Sequence, residues 1–445
     1  MTRARAYALV AAAAALPRIG VLLYERSDIL TRFTEKSDDF ARTFVSSGTY
    51  GFVPGEPSAW TQPLYGFFLV PFYWIFGRHW PVVGLAQIAV AVGTAFLVYE
   101  IGRRVLSERA AVLAATLATL NPYLVWHDVH VNRELVDQLV AAALVLLTLV
   151  AAERRSLRLA AVAGLVAGLA ILGNTRLVLV PLVVAAYLLW RRAGVAAAAL
   201  VLAAAALAVA PWVVRNRVQV GCYALTTDAA ALWKANNLET YHVLASGHWI
   251  DDVRLLPGHS FTPEFGRDEY RATGKKVHVD ECALMRFYRG RTTDFWRDHP
   301  GAKAKLAGQA ARMLWDPRPT RTATEAGGAV RRWVQPVYAS ILYALGLFGL
   351  TLVARRFAVL AIALLAYQTL AAMVFVGATR YRVSWDFLVA LLAAAGLARL
   401  VSFAREGRPR PSDSWHRRVG AAPADAPAGA AGARDRARDD RARRP

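Results

Sequence analysis

Long apolar runs, most of them closed by a short basic group, alternate with polar stretches along most of this chain. Runs long enough, or nearly so, to cross a hydrocarbon layer lie at 6–24, 80–101, 110–126, 134–152, 159–173, 177–190, 195–214, 334–354, 357–376 and 383–402. The pattern predicts an all-α polytopic membrane protein with about ten transmembrane helices. Arg3/Arg5, Arg103/Arg104, Arg154/Arg155, Arg191/Arg192, Arg355/Arg356 and Arg405 then fall on one side. Positive loops stay cytoplasmic, so both termini are expected there, in a plasma (inner) membrane. The segment 63–77 is apolar but short, and would invert every later loop if it crossed. It is expected to lie as an interfacial helix on the outer side, where its Tyr65, Phe67, Phe68, Phe72, Tyr73 and Trp74 suit the headgroup level.

This topology divides the chain into an N-terminal transmembrane module, 1–214, with a first outer loop at 25–80; an extracytoplasmic lobe, 215–333; C-terminal transmembrane helices, 334–402; and a tail, 403–445. The lobe mixes aromatics, charges, Gly and Pro and is expected to be small and mainly helical. The Ala-, Pro-, Arg- and Asp-rich tail buries too little apolar surface to offset its ordering entropy, and is expected to be disordered and cytoplasmic. A net charge of +21 with 56% hydrophobic residues changes the picture little. The arginines stand at the ends of apolar runs and in the tail, where they orient helices and meet anionic headgroups of the bilayer, so no nucleic-acid partner is expected. The two cysteines, Cys222 and Cys282, lack the spacing of a metal or redox motif. Both fall in the outer lobe, either bridged or as free thiols.

Polar groups beside a bilayer are costly, which singles out four sets on the outer side. Ser37-Asp38-Asp39-Phe40 reads as the start of a short amphipathic helix capped by Ser37, with its apolar stripe on the membrane and two carboxylates within reach of an interfacial substrate. His127, Asp128, His130 and Glu134 include types that ligate a divalent metal, at a spacing that matches no standard motif; Glu134 sits at the lip of a helix. Arg215 and Asn216, then Lys234, Asn236 and Asn237, are side chains suited to phosphate and sugar hydroxyls. Arg176, and the triplet Arg380-Tyr381-Arg382, place positive charge outside, against the orientation bias, which points to an anionic ligand. No Gly-rich phosphate loop occurs.

In their order these pieces resemble the polyprenyl-phosphate-sugar-dependent glycosyltransferases of the GT-C type, relatives of protein O-mannosyltransferases and of the lipid A aminoarabinose transferase. The resemblance covers roughly 5–400. It rests on the acids at Asp38 and Asp39, on Trp60-Thr61-Gln62-Pro63-Leu64-Tyr65 before an interfacial helix ending at Phe76-Gly77, on Pro211-Trp212 through Arg215-Asn216, on Asn236-Asn237, and on Arg380-Tyr381-Arg382. It implies transfer of a sugar from a polyprenyl-phosphate donor to a cell-envelope lipid, glycan or protein acceptor on the extracytoplasmic face. Asp38 or Asp39 would be the catalytic base, and Glu134, Arg176, Arg215, Asn216, Lys234, Asn236, Asn237, Arg380, Tyr381 and Arg382 would bind donor phosphate or substrate. Thr61 and Gln62 stand where some members of that family carry charged residues, so the resemblance assigns no cofactor and leaves a divalent metal only as an open alternative. Two other classes stay open: a transporter or flippase for a lipid-linked envelope component, for which Arg18 and Asp137 within apolar runs would speak, and a non-catalytic envelope assembly protein.

Overall fold

The apolar runs fold as helices whose ends are set by prolines, polar caps and basic pairs. The computed structural model describes residues 1–320 and 328–406. α1 (Arg3–Glu25) leads through a short 3-10 turn to α2 (Lys36–Ser47), which ends at Gly48 in the left-handed region (φ 72°), a conformation that costs glycine little. α3 (Pro63–Phe76) and α4 (Trp80–Val105) both carry proline in the first turn, where its missing N–H is harmless. α5 (Glu108–Thr119) and α6 (Pro122–His127) follow. The expected single run at 110–126 is thus broken in two, because the Asn121 side chain accepts from the Tyr123 N–H and starts a new helix at Pro122.

α7 (Glu134–Arg154), α8 (Leu157–Gly173), α9 (Val180–Trp190) and α10 (Val195–Gln219) complete the N-terminal half. At Gly164 and Gly168 of α8 an added Cβ would lie 2.4 Å from the Val201 carbonyl oxygen and 2.5 Å from the Ala208 Cβ. The two helices therefore meet backbone to backbone, as small residues allow. Seven of the described helices are long and apolar enough to cross a membrane, namely α1, α4, α7, α10, and the later α16 (Gly328–Leu350), α17 (Arg355–Val374) and α19 (Asp386–Glu406). α3, α8 and the α9 region are shorter apolar helices.

Between α10 and α16 lies a helical lobe: α11 (Ala229–Lys234), α12 (Thr240–Ala245), α13 (Pro263–Thr273), α14 (Glu281–Asp298) and α15 (Pro300–Trp315). Asp228, Thr262 and Asp280 cap α11, α13 and α14 by accepting from backbone N–H groups three residues on. α18 (Thr379–Val383) is a short turn of helix between α17 and α19.

The lobe does not stand apart. Phe40, Tyr50, Phe52 and Trp60 of the first loop form one buried apolar cluster with Trp212, Ala229, Leu284, Met285 and Tyr288. This corrects two expectations for α2. Its stripe, with Phe40 fully buried, packs on protein instead of lipid, and the helix begins before Ser37, at Lys36, after Glu35 in extended conformation. α3 does show an exposed aromatic and apolar edge, Phe67, Trp74, Ile75 and Phe76. Of the expected tail, 403–445, residues 403–406 continue α19 and the rest, from 407 onward, lies outside the described residues.

Cys222 and Cys282 are joined in a disulfide, with Cα atoms 6.0 Å apart, across 60 positions of sequence. It fastens the segment after α10 to the start of α14. Closing a loop of that length constrains the unfolded chain, so Cys282→Ser is expected to lower stability by about 2–5 kcal/mol. The readout is the Tm of the purified protein, and a Tm equal to wild type would show that the bridge adds no stability.

Candidate functional site

One large cavity, about 540 Å³, opens where the residues before α2, the 60–62 segment, the α8–α9 turn, α11 and α18 meet. Its polar lining includes Glu35, Lys36, Gln62, Arg133, Asn174, Thr175, Arg176, Asp228, Asp251, Arg289 and Arg380, and its apolar lining includes Trp60, Val178, Val213, Leu232, Trp249 and Phe375. A pocket with a few convergent charges on an apolar wall is the usual form of a small-molecule site.

The charges are not evenly spent. Glu35 is fixed through its backbone N–H, which donates to the Val131 carbonyl at 3.0 Å, and its carboxylate pairs with the Arg380 Nη2. Arg380 Nε donates at 2.7 Å to Glu134, which is itself buried at the start of α7. Burial pushes the Glu35 carboxyl up, but Arg380, and then Arg133 and Lys36, outweigh it and hold the group below the usual carboxylate range. Lys36 is spent on Asp228 at 3.0 Å and Glu264 at 2.5 Å.

Two guanidiniums are less committed. Arg133 donates from Nη1 to Gln62 at 2.6 Å, stands 3.9 Å from Asp137, and leaves its buried Nε without a hydrogen-bond acceptor. Arg176 bonds the Val376 carbonyl at 2.8 Å and stacks 3.4 Å from the centroid of the Tyr381 ring, with no carboxylate pairing it among the described residues. Cations held in a partly dry pocket without full compensation suit an oxyanion such as phosphate.

The expected site residues divide between this cavity and structural ties. Arg176, Arg380 and Tyr381 line the cavity, and Glu134 adjoins it through Arg380. Asp38 and Asp39 do not line it. Asp38 accepts from the Tyr73 hydroxyl at 2.6 Å and from Arg78 at 2.8 and 2.9 Å, while Asp39 holds Arg267 and Arg271 of α13 at 3.2 and 2.5 Å. Arg215 bonds the carbonyls of Tyr50 and Ser58. Asn216 donates to the Ala224 carbonyl. Lys234 reaches Asp251 at 3.7 Å. Asn236 ties Leu232, Val374, Trp296 and Lys303, and Asn237 bonds the backbone N–H groups that open α12. Arg382, almost fully buried, pairs with Asp386 at 3.1 Å and bonds the Leu314 carbonyl. These residues hold the lobe and the last helix in place.

The His127, Asp128, His130 and Glu134 set is also drawn apart. Asp128 pairs with Arg18, Glu134 with Arg380, the His127 ring stacks on Tyr123, and His130 bonds the Trp126 carbonyl. Among the described residues no group of three or more His, Cys, Asp or Glu side chains is arranged to hold a metal. Glu35, Lys36 and Arg133 line the site and were not singled out from sequence. The one available signal was that Glu35 and Lys36 flank a helix start and Arg133 adjoins Glu134.

Residues 57–214 match the model of the family described as dolichyl-phosphate-mannose-protein mannosyltransferase. Over the whole fold the chain is similar to the archaeal oligosaccharyltransferase AglB from Archaeoglobus fulgidus in complex with an inhibitory peptide and a dolichol-phosphate. That match has a TM-score of 0.50 and 14% identity, and covers 91% of this chain and 52% of that one. It is also similar to the Archaeoglobus fulgidus oligosaccharyltransferase tethered to an acceptor peptide, with a TM-score of 0.52 and 13% identity over 90% of this chain and 50% of that one. A further match is ArnT from Cupriavidus metallidurans bound to undecaprenyl phosphate, with a TM-score of 0.41 and 16% identity over 91% and 80% of the two chains. The chain spans about half the length of the archaeal enzymes it matches. No curated protein matches it.

The helical architecture and the archaeal matches define a membrane protein of the GT-C type fold. Within that fold, residues 57–214 are similar to the protein mannosyltransferase family, the resemblance to which the sequence motifs in that stretch pointed.

Proposed function

We propose that this protein is a membrane glycosyltransferase that moves a sugar from a polyprenyl-phosphate donor to a cell-envelope acceptor, with its cavity on the extracytoplasmic face. The observation that carries the reading is the meeting, in one cavity, of a carboxylate, Glu35, with the guanidiniums of Arg133, Arg176 and Arg380. Glu35 would take the proton of the acceptor hydroxyl as its oxygen bonds to the anomeric carbon. The bond from that carbon to the phosphate oxygen breaks, and the electron pair leaves with the lipid phosphate, whose charge the guanidiniums stabilise. The apolar lining and the exposed edge of α3 suit a donor that arrives from the bilayer. The outer placement is supported by the Cys222–Cys282 disulfide, since such bonds persist in oxidising compartments.

The test is a transfer assay with purified protein, radiolabelled polyprenyl-phosphate sugars and envelope fractions as acceptors. Label moving to an acceptor, with release of lipid phosphate, is expected for at least one sugar. Folded protein that releases lipid phosphate from none of them would overturn the reading.

A further inference from the structure

We propose that the donor phosphate and Glu35 compete for Arg380, so that binding of the lipid phosphate itself unmasks the base; this rests on the donor reading above. Arg380 holds two carboxylates at once, Glu134 through Nε at 2.7 Å and Glu35 through Nη2. The two contacts are not equivalent. Glu134 is 4% exposed, does not line the cavity, and has its carbonyl held by the Ser384 hydroxyl. Glu35 is 16% exposed, lines the cavity, and belongs to the non-helical stretch before α2. An oxyanion arriving through the cavity therefore meets the Glu35 side of the guanidinium, while Glu134 keeps Arg380 in place from behind.

Carboxylate and phosphate use the same guanidinium N–H fork, and a fork engaged by one is poorer for the other. While Glu35 is paired it is a weak base, because its lone pairs are taken up by an ion pair. Once phosphate takes the Nη2 contact, the Glu35 carboxylate is released beside the donor. It is then free to accept the proton of an acceptor hydroxyl. The base thus becomes available only where a donor is present. Competition for one group is a negative coupling between two ligands, and such couplings are reciprocal.

The consequence runs against the usual effect of deleting a site residue, since removing the Glu35 charge should tighten donor-phosphate binding. The measurement is a titration of full-length protein in nanodiscs with undecaprenyl phosphate, and in parallel with undecaprenol, which lacks the phosphate. Glu35→Gln is expected to bind undecaprenyl phosphate about fivefold more tightly or better than wild type, within the usual range of coupling between sites, and undecaprenol equally. Asp39→Asn, whose side chain holds Arg267 and Arg271 and does not line the cavity, should change neither. If Glu35→Gln does not purify folded, Glu35→Asp shortens the reach to Arg380 and should shift the same way by less. Unchanged or weaker phosphate binding in the folded Glu35 variant overturns the competition, as does equal tightening in Asp39→Asn. Wild-type protein that binds undecaprenyl phosphate no better than undecaprenol would instead sink the donor reading, and the competition with it.

Discussion

Glu35→Gln is expected to lower sugar transfer at saturating donor by about 10²- to 10⁴-fold, the usual contribution of a positioned general base. An acceptor hydroxyl is a poor nucleophile until its proton is drawn off, and of the carboxylates that line the cavity Glu35 is the one paired with Arg380, while Asp228 is held by Lys36. Glutamine keeps the shape and removes the basicity. Saturating donor separates the chemical step from the change in donor affinity. Asp38→Asn and Asp39→Asn should act differently, because those side chains hold Arg78 with Tyr73, and Arg267 with Arg271. Their loss belongs in stability and lobe docking, with turnover of the folded enzyme falling far less. A Glu35→Gln protein that turns over at the wild-type rate would leave the cavity without its base and shift the search back to the two aspartates.

The largest stability effect is expected at a charge pair buried in the helical core. Arg18 of α1 is 1% exposed and Asp128, just after α6, is fully buried. They meet at 2.6 and 2.9 Å, with Thr119 and the Ala14 carbonyl completing the guanidinium's partners. Asp128→Asn strands a buried cation and should cost about 3–5 kcal/mol. The double variant Arg18→Met/Asp128→Leu removes both charges and should recover most of that loss, because an apolar replacement leaves nothing unpaired. Thermal unfolding of the three proteins in one detergent decides it. A double variant as unstable as the single one would mean that the pair does more than satisfy itself. The same pairing answers the transporter reading in part, since the one arginine within the first apolar run is tied to a fixed partner.

What the sequence made legible was what local pattern controls. Length and apolarity located the membrane helices, and Pro63 at the head of a short aromatic run located α3. Arg380 was conspicuous because it opposed the orientation bias. Glu35 was not, because its meaning comes from an arginine 345 positions away. The neighbouring Ser-Asp-Asp triplet carried stronger local signals of a helix start. Asn216, Asn236 and Asn237 were read as sugar-binding amides and instead hold backbone groups of the lobe. An amide that grips a carbonyl and one that would grip a hydroxyl are the same residue until the fold places them. The break at Asn121-Pro122 was visible as residues, yet the apolar count on either side outweighed it.

The contact of α8 with α10 bears on how a long lipid reaches the cavity. Where a single methyl at Gly164 or Gly168 would collide with the opposing helix, an isoprenoid tail has no passage. At those positions that flank is a closed seam, and the polyprenyl chain of the proposed donor would have to thread toward Arg380 by another side of the bundle. The fold would then choose the doorway before any side chain in the cavity chooses the headgroup.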